Sequence, residues 1–176
     1  MKLFIPLLLL ICLFPGSGFA GQFDCENPPF GEAIAQYDGF EKYREAGPVS
    51  YYRYVDPGCS TAAGKYGTPK ITYAVVDGKL YAQIVSVVSE ELVRGIKERT
   101  ALYKAGKIKA ADLSPGFRDQ VKSDVQPKMK EGANSSELIW DFPERNLRAK
   151  FKTDFTTNTV KLNYYYLPIW KELQKK

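Results

Sequence analysis

Positively charged side chains alternate with apolar ones in residues 147–155, "LRAKFKTDF". Arg148, Lys150 and Lys152 are spaced two residues apart. Because successive side chains of a β-strand point to opposite faces, a strand here would place these three cations on one side. A row of fixed positive charges attracts anions without any catalytic group. The stretch therefore predicts electrostatic binding of an acidic partner.

A second strand is predicted over residues 160–167, "VKLNYYYL". A two-residue turn at Thr157 and Asn158 would pair Lys150 with Tyr165 and Asp154 with Lys161. The remaining tyrosines of the triplet then belong to the apolar side. We call the charged side of these strands the basic face. Its predicted binding residues are Arg148, Lys150, Lys152, Lys161 and Tyr165. The alternative is a solvated sheet surface whose lysines discourage aggregation.

Catalytic constellations are scarce in this chain. It contains no histidine, which excludes Ser-His-Asp and Cys-His catalysis and histidine-ligated zinc. The stretch "GCSTAAGKYGTPK" has five residues between Gly58 and Gly64, and Tyr66 after Lys65, so it departs from a phosphate-binding loop. We expect no cofactor and no metal site. A pair of carboxylates for glycoside cleavage stays open, since 20 acidic residues allow many pairs.

The N-terminal twenty residues predict export. Lys2 precedes the apolar run Leu3–Phe14, and Gly18-Phe19-Ala20 provides the small residues of a signal-peptidase site. Cleavage after Ala20 leaves residues 21–176, which we expect to form one domain without a membrane span. The predicted location is the periplasm in a Gram-negative host, and outside the cell otherwise.

Cysteine use agrees with export. Cys25 and Cys59 remain after the signal peptide is removed, and an even pair in an oxidising compartment predicts a disulfide. Closing a loop of this length stabilises the folded chain by roughly 4 kcal/mol in the chain-entropy model.

The clearest local pattern is "ITYAVVDGKLYAQIVSV", residues 71–87. Asp77-Gly78 suits a type I′ hairpin turn, because both central positions need positive φ. The predicted pairs are Val75 with Leu80, Tyr73 with Ala82 and Ile71 with Ile84, all six on one face. The sequence thus predicts a half-buried hairpin.

Other elements complete the predicted fold. Residues 32–37 favour a short helix within an otherwise irregular segment, residues 50–55 favour a strand, Ser89 begins a helix and Ser114 begins a second one, whereas residues 129–136 are typical of a loop. The predicted class is α+β, with an antiparallel sheet formed by a hairpin, one or two helices and then a three-stranded meander, covered on one face by the helices.

The order of "PPFG", a tyrosine-rich strand, "GTPKITYAVVDGKLYAQIVSV", a helix and "IWDFPERNLRAKFK" resembles small exported bacterial proteins of uncharacterised function. The resemblance covers most of the chain after the signal peptide. It implies export and an α+β fold, and it implies no activity. The chain departs from the pattern in its basic stretch around residues 104–134.

The function that we predict from the sequence is that of an exported, non-enzymatic binding protein, of the inhibitor or immunity type, acting on another envelope protein. The expected partner is an acidic protein, an anionic glycan or a lipid headgroup. Nucleic acid is not expected, given the compartment and the modest net charge of +5. The alternative is a small apolar-ligand or lipid pocket between sheet and helices, lined by Tyr73, Tyr103, Trp140 and Tyr164.

Overall fold

The computed structural model describes residues 21–55, 59, 64, 66–113 and 125–175. The predicted signal peptide and nearly all of the helix predicted from Ser114 lie outside these residues. Within them the chain forms one open antiparallel sheet, with strand order β1-β2-β3-β4-β8-β7-β6-β5. The strands are β1 (Phe40–Ala46), β2 (Val49–Tyr54), β3 (Lys70–Val76), β4 (Lys79–Val88), β5 (Lys128–Gly132), β6 (Ser135–Phe142), β7 (Leu147–Asp154) and β8 (Thr159–Tyr166). The helices are α1 (Glu90–Lys104) and α2 (Leu167–Leu173).

The α+β class with an antiparallel sheet is confirmed, but the sheet has more strands than predicted. β1 lies in the segment expected to be irregular, and β5 begins one residue before the segment expected to be a loop and continues into it. Both are the outer strands of the sheet. Most residues of β1 and β5 are exposed, so little apolar alternation is needed, and charged residues protect the unpaired edge of an outer strand. Its sequence therefore resembles a loop.

The β3–β4 turn has positive φ at both Asp77 (49°) and Gly78 (75°), as a type I′ turn requires. The predicted pair next to the turn is present, but the predicted pairing beyond it is wrong. Val75 pairs with Leu80, but Ala74 then pairs with Ala82, so that one extra β4 residue forms a bulge. Tyr73 consequently faces Gln83, and the six residues expected on one face are split between both faces.

The β7–β8 turn is longer than predicted. Asp154 pairs with Thr159, leaving four turn residues where two were expected. Oδ1 of Asp154 accepts hydrogen bonds from the backbone N–H groups of Thr156 (2.9 Å) and Thr157 (3.0 Å), and Asn158 adopts φ 49°. The register shifts by two residues, so each side chain keeps its predicted face and changes its partner.

One side of the sheet, which we call the core face, is covered by α1. The Ser89 hydroxyl caps this helix by accepting a hydrogen bond from the Leu92 N–H at 3.2 Å, as predicted for its first turn. The buried cluster contains α1 and sheet residues: Leu92, Val93, Ile96, Val85, Leu138, Trp140, Phe151 and Leu162.

The N-terminal segment covers the rest of the core face. Phe23 is buried against Tyr73 and Leu80, and its ring meets those of Phe40 and Tyr73 edge-on. The predicted disulfide between Cys25 and Cys59 is confirmed. It holds this segment beside the sheet, where the Gln83 side chain donates to the Cys25 carbonyl at 2.9 Å.

Helix α2 packs on the opposite side of the sheet, the basic face. Ile169 is buried with Ala74 and Ala82, and Trp170 packs against the same cluster. The expectation of helices on one face only is therefore wrong. The sequence after β8 does contain a pattern that indicates α2. Pro168 stands in the first turn of the helix, and the apolar residues follow a helical spacing. Within the described residues neither helix is long and apolar enough to span a bilayer.

Truncating the buried centre of the sheet tests this packing. Leu162 is fully buried under α1, so Leu162→Ala should lower the free energy of unfolding by about 2–5 kcal/mol. Val88, 70 % exposed on the neighbouring strand, provides the matched control. Urea unfolding should show a change within about 0.5 kcal/mol for Val88→Ala. Equal losses in both variants would contradict the assignment of the core face.

Candidate functional site

Strand pairing arranges the basic face into parallel rows of side chains. One row, which we call the lysine row, crosses six strands and contains four lysines. Its members, in spatial order, are Lys70, Ser86, Lys161, Lys152, Glu137 and Lys130. Neighbouring strands lie about 4.8 Å apart, so the row extends for roughly 24 Å. The row is a band of positive charge across most of the sheet.

The rows on each side of the lysine row differ in character. On one side lie Thr72, Ile84, Asn163, Lys150, Ile139 and Lys128. On the other side, next to the β7–β8 turn, lie Val88, Thr159, Asp154 and Ser135. We call these three rows together the open half of the basic face, to distinguish them from the part that packs against α2.

Charge is concentrated on the open half. It carries six lysines and two carboxylates, Glu137 and Asp154, an excess of four positive charges in a chain whose total net charge is +5. The rest of the chain is therefore close to neutral. Such a one-sided distribution produces a local positive potential that the overall charge does not reveal.

Arg148 lies at the boundary between the open half and α2. Its Nε and one terminal nitrogen donate to the two carboxylate oxygens of Asp141, at 2.5 and 2.9 Å. Its guanidinium also lies over the ring of Trp170, 4.1 Å from the ring centre. The guanidinium is thus engaged by Asp141 and Trp170 within the fold. Arg148 therefore anchors α2 and is not a free binding residue.

Lys150 and Tyr165 are also partly committed. The ammonium of Lys150 lies 3.7 Å from a Glu137 oxygen and 5.9 Å from the centre of the Tyr165 ring. Tyr165 itself pairs with Arg148, is half-buried, and packs in the α2 cluster. Burial raises the pKa of its hydroxyl. Tyr165 borders the open half, and Lys150 lies within it beside that border.

Lys152 and Lys161 are different. They are direct cross-strand partners, both exposed, and neither forms a salt bridge with another described residue. Like charges directly opposite each other destabilise a sheet. Together with Asp154, Thr157 and Thr159 they line a depression of about 240 Å³ at the β7–β8 turn. Among the predicted binding residues, this pair is the best placed to contact an anion.

Three lysines of the open half were missed by the sequence prediction: Lys70, Lys128 and Lys130. Lys70 was missed because the β3–β4 bulge shifts its pairing to Ser86. Lys128 and Lys130 lie on β5, in and just before the predicted loop. The alternation of charge in "KMKEG", residues 128–132, was the available signal for an edge strand.

The four residues of the predicted apolar pocket do not meet at one place. Tyr73 is buried in the N-terminal aromatic cluster, and desolvation raises its pKa to about 12. Trp140 is buried in the α1 cluster, where Tyr103 and Tyr164 pack against it from partly buried positions. The side chains fill two packed clusters.

No three or more of the described cysteine, aspartate and glutamate side chains are grouped so that they could hold a metal ion. Comparison with protein-family models, with curated proteins and with solved structures finds no match for this chain. The geometry of the basic face is therefore the remaining guide to function.

The Arg148–Asp141 pair has a pH signature. Hydrogen bonds from Arg148 lower the pKa of Asp141 below its usual value. The pair's contribution to stability is then complete above the unfolded pKa of about 3.9, and is lost as the pH falls through the folded value. Asp141→Asn should lower the free energy of unfolding at pH 7 by roughly 1–3 kcal/mol, because Arg148 keeps a weaker acceptor.

Denaturant unfolding of both proteins from pH 7 to pH 2 measures this effect. The stability difference between wild type and Asp141→Asn should be constant above about pH 5 and shrink at lower pH. A difference that grows as the solution becomes more acidic would show that the carboxylate is not stabilised in the folded state.

Proposed function

We propose that the protein is an exported, non-enzymatic binding protein that recognises a polyanionic partner through the open half of its basic face. The observation that supports this most directly is the excess of four positive charges on the part of the sheet that lies beyond the α2 cluster. The partner classes that fit are an acidic protein, an anionic glycan and an anionic lipid headgroup. An inhibitor or immunity-type role would be one use of the same surface.

The structural environment of the lysines favours binding over simple solubility. Lysines that only protect a sheet are needed at its edges, where backbone groups are unpaired. Lys152 and Lys161 stand on two interior strands, β7 and β8, whose backbone groups pair on both sides. Placing both cations side by side there costs stability and provides no edge protection, so a ligand is the better explanation.

The polar residues between the lysines are suited to contact with a partner. Ser86 and Thr159 carry hydroxyl groups on the same face as the lysines. Neutral donors and acceptors provide directional hydrogen bonds, whereas the flexible ammonium groups provide attraction at longer range. A partner with charges and polar groups along an extended surface would contact both the ammonium groups and the neutral polar groups.

The open half is also accessible on structural grounds. Helix α2 contacts the row that contains Ala82 and Tyr165, and the lysine row lies two rows away along β8. Lys70, Lys130, Lys152 and Lys161 are all exposed. A partner can therefore reach these four lysines without displacing α2 or another helix of the described residues.

Charge reversal tests the proposed function. The double variant Lys152→Glu with Lys161→Glu should lower affinity for fluorescently labelled polygalacturonate and polyglutamate by about tenfold or more at low salt. The matched control is Lys97→Glu, an exposed lysine on α1, which covers the opposite side of the sheet. Fluorescence anisotropy at two salt concentrations gives the affinities.

Wild-type affinity should fall steeply between about 50 and 300 mM salt, because exposed charges are screened over a Debye length of roughly 10 Å or less. The control should behave as wild type. The proposed function is wrong if the double variant binds both probes as tightly as the control, or if neither probe binds the wild-type protein at low salt.

A further inference from the structure

The depression at the β7–β8 turn contains a group that a simple anion site would exclude. Lys152 and Lys161 line it together with the carboxylate of Asp154 and with Thr157 and Thr159. A carboxylate repels phosphate, sulfate or the side chains of an acidic peptide. A ligand of this depression therefore needs a negative charge for the two lysines and a hydrogen-bond donor for the Asp154 carboxylate.

Asp154 is held in place by the fold. One of its oxygens accepts the N–H groups of Thr156 and Thr157, and these bonds, with a smaller effect of Lys152, lower the pKa of the carboxyl group. An ionised carboxylate has about four acceptor positions, so two amide hydrogen bonds leave it able to accept from a ligand. It is a preformed acceptor beside a pair of cations.

The threonines add neutral groups to the same wall. The Thr157 hydroxyl donates to the Thr159 hydroxyl at 2.9 Å, which in turn donates to the Thr157 carbonyl at 3.2 Å. Each hydroxyl oxygen still has a lone pair for a ligand donor. The wall thus combines two ammonium donors at one side with several oxygen acceptors at the other.

We infer that the depression binds one acidic sugar unit, a uronate, of an anionic glycan. The sugar carboxylate would lie between the ammonium groups of Lys152 and Lys161, and ring hydroxyls would donate to Asp154 and to the threonine oxygens. This inference rests on the proposed function and narrows its partner to a hydroxyl-bearing anion.

The size and position of the depression agree with the binding of one sugar unit of a longer glycan. Its volume of about 240 Å³ is below the roughly 300–1,000 Å³ typical of sites that enclose a drug-sized ligand. Lys70 and Lys130 lie two strands away on opposite sides, about 10 Å from the pair. Neighbouring acidic units of the same glycan would meet these outer lysines.

The variant Asp154→Asn separates a uronate site from a simple anion site. An asparagine side-chain oxygen also accepts the turn N–H groups, so the β7–β8 turn is retained while the charge is removed. A simple anion should bind this variant more tightly, because a repulsive charge is gone. A uronate should bind it at least about fivefold more weakly, because a charged acceptor for its hydroxyls is lost.

Isothermal titration calorimetry with trigalacturonate and with triglutamate, which has an amidated C-terminus and an acetylated N-terminus, gives the comparison at equal charge. We expect Asp154→Asn to weaken trigalacturonate binding and to leave triglutamate binding unchanged or tighter. Thr157→Ala, a second variant at an exposed position, should weaken trigalacturonate binding alone. Urea unfolding of each variant verifies that the fold is intact.

Other outcomes overturn the inference in distinct ways. If Asp154→Asn tightens both ligands, or leaves trigalacturonate unchanged, the depression is a general anion site, and the proposed function survives without the sugar. If phosphoethanolamine binds the wild type more tightly than trigalacturonate and loses affinity in Asp154→Asn, the ligand is a zwitterionic headgroup. If both ligands bind equally well when Lys152 and Lys161 are reversed to glutamate, the proposed function itself is wrong.

Discussion

The ratio of sheet area to covering elements determines the organisation of the described part of this chain. Eight strands make a sheet roughly 34 Å wide with two faces, whereas a helix is only about 10–12 Å across. The core face is covered by α1 and by the disulfide-held N-terminal segment. The basic face receives α2, whose seven residues extend for about 10 Å. The open half of that face is left to contact water, and the lysines give it a positive charge.

Arg148 determines where the covered part ends. It joins Asp141 on the neighbouring strand and Trp170 on α2, so that one side chain connects the sheet to the helix. The next cation along β7, Lys150, is shared between Glu137 and Tyr165. Farther from α2, Lys152 stands between Lys161 and Glu137, and neither lysine forms a salt bridge with a described residue. Partnering of the cations thus decreases with distance from α2, and the proposed site lies at the unpartnered end.

The sequence predicts those features that depend on short-range chemistry. The turn at Asp77-Gly78, the Ser89 cap and the alternation along β7 each depend on a few neighbouring residues, and the disulfide follows from the even pair of cysteines. Features that depend on pairing across strands were not predictable. A bulge of one residue in β4 moved Ala82 and Ile84 to the face opposite Tyr73 and Ile71. One carboxylate that accepts hydrogen bonds from its own turn amides accompanies the longer β7–β8 turn. The four lysines of the lysine row come from β3, β5, β7 and β8. Only the order of the strands in the sheet brings them together.

The most direct test of the account is to locate a bound polyanion on the fold. Backbone amide chemical shifts of the isotope-labelled protein, followed during titration with trigalacturonate, would report the contact surface residue by residue. We expect saturable chemical-shift changes centred on Lys152, Asp154, Thr157 and Lys161. These changes should extend along the lysine row and be absent from α1. Changes centred on α1 or on the N-terminal aromatic cluster, with the β7–β8 turn unaffected, would contradict it.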